Sequence, residues 1–136
     1  RITLVQSDGL AAFGANHAAQ PPAQPTLPRQ FDLILCNPPY VNADSMATLP
    51  PEFRAEPEMA LSGNTAGGTD GMDFIRTLLR QAPACMSEDA VLVLEIGNER
   101  AHFEAAFPQL PVFWLDTSAG SDQVLLLTRT ALLQFL

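Results

Sequence analysis

The stretch Phe31-Asp32-Leu33-Ile34-Leu35-Cys36-Asn37-Pro38-Pro39-Tyr40 decides the fold. Its first six residues are a short, largely apolar run, the pattern of a strand buried within a sheet. Asn37-Pro38-Pro39-Tyr40 ends that strand abruptly, because proline has no N–H to give to a ladder. Open α/β sheets bind ligands beyond the carboxyl ends of their strands, which is where this tetrapeptide falls.

On the N-terminal side, residues 2–6 (Ile-Thr-Leu-Val-Gln) predict a short strand and residues 9–13 a helical turn. Four prolines lie between Pro21 and Pro28, so residues 14–30 read as a long flexible loop. On the other side, residues 41–69 are rich in proline and glycine and hold only short helical pieces, with a mobile turn at Gly63-Asn64-Thr65-Ala66-Gly67-Gly68-Thr69. Thr69 or Asp70 can cap a helix over 71–86, whose apolar positions Met72, Ile75, Leu78, Leu79 and Ala82 follow helical spacing. Residues 90–96 predict a second buried strand, and 99–107 a helix that ends before Pro108. Residues 112–116 and 123–128 predict strands joined as a hairpin around Ser118-Ala119-Gly120-Ser121-Asp122. Buried strands interleaved with helices imply an α/β fold: a mainly parallel sheet with helices on its faces, closed by an antiparallel hairpin.

Composition narrows the function. The 136 residues are 47 % hydrophobic, enough for a real core and too many for a disordered tail. No apolar run approaches the length that crosses a bilayer, and the N-terminus turns polar at Gln6-Ser7-Asp8, so neither a membrane span nor a signal peptide is expected. The net charge is −8, from 15 acidic and 7 basic residues. That balance argues against a phosphate-tracking, nucleic-acid-binding surface and favours a basic partner such as a ribosomal protein. Cys36 and Cys85 lie in apolar surroundings without a Cys-x-x-Cys pair and read as reduced core thiols of a cytoplasmic protein. His17 and His102 have no companions at ligand spacing, so no metal site is expected.

The chemistry of Asn37-Pro38-Pro39-Tyr40 follows from its residue types. Asn37 precedes a proline and is biased to an extended backbone, which lets its amide project into a cleft. The Asn37 side-chain carbonyl and the Pro38 backbone carbonyl are two acceptors that can hold both hydrogens of one NH2 group. Such a grip aims the nitrogen at an electrophile, and orientation must supply most of the catalysis because an amide nitrogen is a poor nucleophile. Tyr40 can wall the substrate, and its ring face suits a sulfonium methyl donor. The same four residues also read as a plain turn.

Residues 31–41 resemble motif IV of the Rossmann-type amino-methyltransferases. Leu49-Pro50-Pro51-Glu52-Phe53-Arg54-Ala55-Glu56-Pro57-Glu58-Met59-Ala60-Leu61, followed by Gly68-Thr69-Asp70-Gly71-Met72, resembles the protein-glutamine N5-methyltransferases. Leu94-Glu95-Ile96-Gly97-Asn98, Phe113-Trp114-Leu115-Asp116 and Gly120-Ser121-Asp122 are most similar to the branch that methylates the third large-subunit ribosomal protein. The resemblance spans the chain apart from the proline-rich loop.

The resemblance implies an incomplete Rossmann-type fold that uses S-adenosyl-L-methionine as methyl donor. It implies that Asn37, Pro38, Pro39 and Tyr40 bind the substrate glutamine amide, with Asn37 and Pro38 catalytic and Asn37 also at the cofactor. Asp8 matches an acidic residue near the cofactor adenine, or else caps a helix. Glu56-Pro57 shapes the substrate entrance or forms a surface turn, and Glu95 has an orienting or structural role. Gly63 to Gly71 is not a phosphate loop, because no strand leads into it and no Gly-Lys-Ser/Thr follows. Three other readings stay open: a release-factor glutamine methyltransferase, a DNA adenine-N6 methyltransferase that flips its base, and a non-catalytic interaction fragment.

The family's Gly-rich cofactor turn after the first strand and the acidic residue ending the second have no counterpart here. Residues 1–136 therefore read as the C-terminal portion of a methyltransferase domain, with an exposed sheet edge that favours self-association. These 136 residues alone are expected to bind S-adenosylmethionine weakly at best and to transfer no measurable methyl. Isothermal calorimetry checks this, and tight stoichiometric binding would overturn it.

Overall fold

The computed structural model describes residues 2–13 and 30–135. The loop expected at 14–30 lies, except for its last residue, outside the described residues, and so does His17.

Four strands form one mixed sheet: β1 (Phe31–Cys36), β2 (Met86–Glu95), β3 (Phe113–Thr117) and β4 (Gly120–Thr128), in the order β1-β2-β4-β3. β1 and β2 are parallel, with Ile34 opposite Leu92 and Cys36 opposite Leu94. β2 and β4 are antiparallel, as are β4 and β3, so the predicted hairpin closes the sheet. The helices are α1 (Ala43–Ala47), α2 (Glu58–Leu61), α3 (Asp73–Cys85), α4 (Arg100–Ala106) and α5 (Arg129–Phe135). Short 3-10 turns stand at Ala11–Phe13 and Phe53–Ala55.

The core lies on one face of the sheet. Ala90, Leu92, Leu94 and Ile96 alternate along and just past β2, and with Leu125 and Leu127 of β4 they are fully buried against Ile75, Leu79 and Ala82 of α3, Phe103 of α4 and Leu132 of α5. The period-2 burial of β2 is what a strand covered on one side shows. Leu33 and Leu35, paired with Val91 and Val93 on the other face, are 52 % and 70 % exposed. The expectation of helices on both faces is therefore met on one face only among the described residues.

Four local features differ from the sequence reading. Residues 2–6 are not a strand: Ile2 and Leu4 are 90 % and 94 % exposed, and no described strand pairs with them. A β-branched run makes no strand without a ladder partner for its backbone. β2 starts four residues earlier than expected, at Met86, and the register against β1 shifts between Phe31 and Leu33. α5, not expected from the sequence, begins where Thr128 Oγ1 accepts from Ala131 N at 3.1 Å, and Arg129 Nε donates to the Pro83 carbonyl at 3.1 Å. That second bond satisfies a carbonyl in the last turn of α3, which has no partner within its own helix.

The fourth difference is the glycine-rich stretch before α3, expected to be mobile and found tied down. Asp73 accepts from Ala66 N and Gly68 N, each at 2.8 Å, and Asn64 Oδ1 accepts from Gly71 N at 2.8 Å. Asp70 accepts from Met72 N at 3.0 Å, so it caps the approach to α3 without being its N-cap residue, which is Met72. The Arg76 guanidinium grips Asp70 through both its terminal nitrogens and also reaches Asp73 at 3.2 Å. Gly71 has φ +77°, and a Cβ there would lie 2.2 Å from the Tyr40 carbonyl oxygen, so only glycine lets this loop back onto the tetrapeptide.

The hydrogen bond from Arg76 holds the Asp70 carboxyl below the usual carboxylate range. A carboxylate whose folded pKa is depressed contributes stability that is present above its unfolded pKa and is lost as pH falls through the folded value. Asp70→Asn is therefore expected to lower the Tm at pH 7, and the gap to the parent should close as pH falls below about 4. A gap independent of pH in thermal melts would show that the pair does not act through its charge.

Candidate functional site

Strand β1 delivers the tetrapeptide to the carboxyl edge of the sheet. Asn37 stands exposed directly after Cys36, Pro38 is buried, and Pro39 and Tyr40 are half-buried. The Asn37 side-chain amide and the Pro38 carbonyl make no hydrogen bond with a described residue, so both acceptors remain free. Asn37 and Pro38 line a cleft of about 510 Å³ whose walls include Tyr40, Phe53, Glu56, Gly97, Glu99 and Gln123.

The far wall is the turn that follows β2. Gly97 has φ +53°, and a Cβ there would come within 2.9 Å of the Tyr40 ring. The ring therefore lies flush against the Gly97 backbone. Burial first, then the negative charges of Glu95 and Glu99, push the Tyr40 phenol above its ordinary range. The hydroxyl stays neutral and remains a hydrogen-bond donor.

Below the ring, Asn42 bridges the two walls. Its Nδ2 donates to both carboxylate oxygens of Glu99, at 2.8 and 2.9 Å, and to Ser45 Oγ at 3.0 Å. Its Oδ1 accepts from Ser45 N at 2.9 Å, which makes Asn42 the N-cap of α1. His102 Nδ1 lies 2.6 Å from Glu99 Oε2.

Asn37, Pro38, Tyr40 and Glu56 thus line one cleft. Pro39 sits in the same turn, and Glu95 ends β2 close enough for its charge to act on Tyr40. Asp8 does not join them: it lines a separate depression of about 310 Å³ with Gly9, Thr65, Phe74 and Gln81. Nor does its side chain cap the nearby helical turn, since Ser7 Oγ accepts from Ala12 N at 2.9 Å while Asp8 offers only its backbone carbonyl to Ala11 N. Burial pushes both free thiols, Cys36 and Cys85, above their usual range. Among the described residues no group of three or more His, Cys, Asp or Glu side chains is placed to hold a metal ion. No helix among them is long and apolar enough to cross a membrane.

Sequence reasoning missed Asn42, Gly97, Glu99 and Gln123. Asn42 had a local signal, an asparagine just before Ala43-Asp44, where N-caps stand. Glu99 had none, because its partner lies 57 residues away.

No family model matches the chain. Among curated proteins, the chain is similar to protein-glutamine methyltransferases. The relatives are ribosomal protein uL3 glutamine methyltransferases. The chain is 61 % identical over 102 residues to that of Bordetella pertussis, covering 75 % of this chain and 33 % of the relative. It is 54 % identical over 104 residues to that of Burkholderia pseudomallei, covering 76 % and 33 %. With that of Bradyrhizobium diazoefficiens it shares 43 % identity over 124 residues, covering 91 % and 34 %. The chain spans about a third of the length of these relatives. The four-stranded mixed sheet is compatible with a partial Rossmann-like methyltransferase fold.

Gly97→Ala is expected to displace the Tyr40 ring and to cost about 1–3 kcal/mol, since it adds a Cβ at positive φ against an aromatic ring. Thermal melts, together with the Tyr40 side-chain signals in NMR spectra, check both effects. An unshifted ring with unchanged stability would show that Gly97 is replaceable.

Proposed function

We propose that the protein containing this chain methylates the side-chain amide nitrogen of a glutamine in ribosomal protein uL3, with S-adenosyl-L-methionine as donor, in the cytoplasm. The observation that carries this reading is the pair of free acceptors, the Asn37 side-chain carbonyl and the Pro38 backbone carbonyl, at one mouth of the cleft beside Tyr40.

The donor set fits the reactive end of that cofactor. Glu56 and the Tyr40 ring line the cleft, and none of its described lining residues is lysine or arginine, which suits a cationic sulfur. When bound, S-adenosyl-L-methionine supplies a methyl group on a positively charged sulfur that leaves as a neutral thioether. The chain's own residues do the rest. Asn37 and Pro38 accept the two amide hydrogens of the glutamine and turn its nitrogen lone pair toward the donor. Tyr40, pinned on Gly97, walls the amide plane and excludes water from one side. Glu56, on the rim, favours a positively charged protein segment at the entrance. Transfer forms the nitrogen–carbon bond, breaks the carbon–sulfur bond and releases one amide proton to solvent. Because the amide is a weak nucleophile, most of the acceleration comes from orientation.

The test is radiolabelled methyl transfer by the full-length protein onto purified ribosomal protein uL3 and onto a peptide-chain release factor, with the modified residue mapped by mass spectrometry. Label on a glutamine of the ribosomal protein alone is the expected result. Label on the release factor would keep the chemistry and replace the substrate; label on neither, but on DNA, would replace amide with adenine. Asn37→Ala is expected to lower turnover by about 10²-fold or more while leaving donor affinity nearly unchanged. Unchanged turnover would remove Asn37 from the chemistry.

A further inference from the structure

Asn42 and Glu99 are 6 % and 7 % exposed, and the transfer chemistry uses neither. Two polar groups this deeply buried persist only where each satisfies the other. The cap of α1 does not explain the asparagine. A cap needs one side-chain oxygen, and Asn42 Oδ1 provides it to Ser45 N; aspartate or serine would serve as well. What only an amide adds is the NH2 group, and here it is directed at a carboxylate 57 residues away.

The position of this pair gives it a task. Asn42 lies two residues beyond Tyr40, and Glu99 two residues beyond Gly97. The two walls of the cleft are therefore joined at two rungs: the Tyr40 ring on the Gly97 backbone, and the Asn42 amide on the Glu99 carboxylate. The second rung is polar and directional, so it fixes the sliding of one wall along the other, which a ring resting on glycine does not. His102 Nδ1, 2.6 Å from Glu99 Oε2, gives the same carboxylate a second partner.

We propose that the Asn42–Glu99 pair, backed by His102, is a positioning latch that fixes Tyr40 and the Asn37 and Pro38 acceptors in register with the Gly97 wall of the cleft. Asn42 and Glu99 are positioning residues, acting through Tyr40 and Asn37. The kinetic readout rests on the amide-methylation reading; the latch itself is a property of the folded chain.

The decisive variants are made in the full-length protein. Asn42→Asp keeps an oxygen for the helix cap but sets one carboxylate against another. Its kcat is expected to fall by about 10²-fold with the Kd of the donor unchanged. The double variant Asn42→Asp/Glu99→Gln exchanges amide and carboxylate, rebuilds the pair in reverse and is expected to recover most of the lost kcat. Should Asn42→Asp not fold, Asn42→Ser, which caps the helix without adding charge, is expected to lose kcat in the same way. Hydrogen exchange of backbone amides in residues 40–46 reads the latch without substrate: faster in the single variants, restored in the exchanged pair. Full kcat in a folded single variant, or a double variant as slow as Asn42→Asp, would overturn the latch. If the parent protein methylates no glutamine, the amide reading falls, and exchange alone decides: unchanged protection in the single variants would then overturn the latch too.

Discussion

Everything at the cleft depends on the parallel pairing of β1 with β2. Cys36 stands opposite Leu94, so the two chains leave the sheet side by side at the same edge. Asn37 to Asn42 and Ile96 to Glu99 then run out together, and Tyr40 meets Gly97 within van der Waals distance. An antiparallel pair would have put these turns at opposite ends of the sheet. The other edge of β2 completes the arrangement. Ile96 N donates to the Gln123 carbonyl at 2.8 Å where β4 meets β2, and this brings Gln123 to the same cleft.

Charge then selects what such a cleft suits. Its described lining holds two carboxylates and no cation, and Glu95 stands just behind. A phosphate backbone would meet repulsion there, whereas a sulfonium or a basic protein segment would meet attraction. The same negative field, added to burial, keeps the Tyr40 phenol protonated, so the aromatic wall adds no charge of its own. Two of the 15 acidic residues of the sequence thus line this cleft.

How much of this was legible depends on how far each signal reaches along the chain. Proline ends a strand by local chemistry, so the end of β1 and the exposure of Asn37 could be read directly from residues 31–40. The periodicity of Ile75, Leu78, Leu79 and Ala82 likewise gave α3 to within two residues at its start and one at its end. Residues 2–6 misled because strand propensity is only a fit to a pleated surface, and no described strand offers one. The loop before α3 misled for the opposite reason: its glycines suggested mobility, but Asp70, Asp73 and Asn64 tie it through hydrogen bonds that composition does not show. Asn42 and Glu99 were silent because a contact across 57 residues is written only in the fold.

Two fully buried side chains anchor the glycine turns that support Tyr40. Ile96, fully buried, immediately precedes Gly97, and Met72, also fully buried, immediately follows Gly71. Each glycine makes a sharp turn at positive φ, and a turn of that kind would wander if its neighbour were free. Burying a large aliphatic side chain is worth about 1.5–3 kcal/mol, enough to hold each turn in place against thermal motion. From these two anchors, Gly97 supports the ring of Tyr40 and Gly71 supports its backbone. Tyr40 is thereby clamped from both sides, and two prolines stiffen the backbone between it and Asn37. In the proposed reaction, acceptors carried on a backbone held this way spend little entropy when the amide arrives, and that is the condition under which orientation can activate a poor nucleophile.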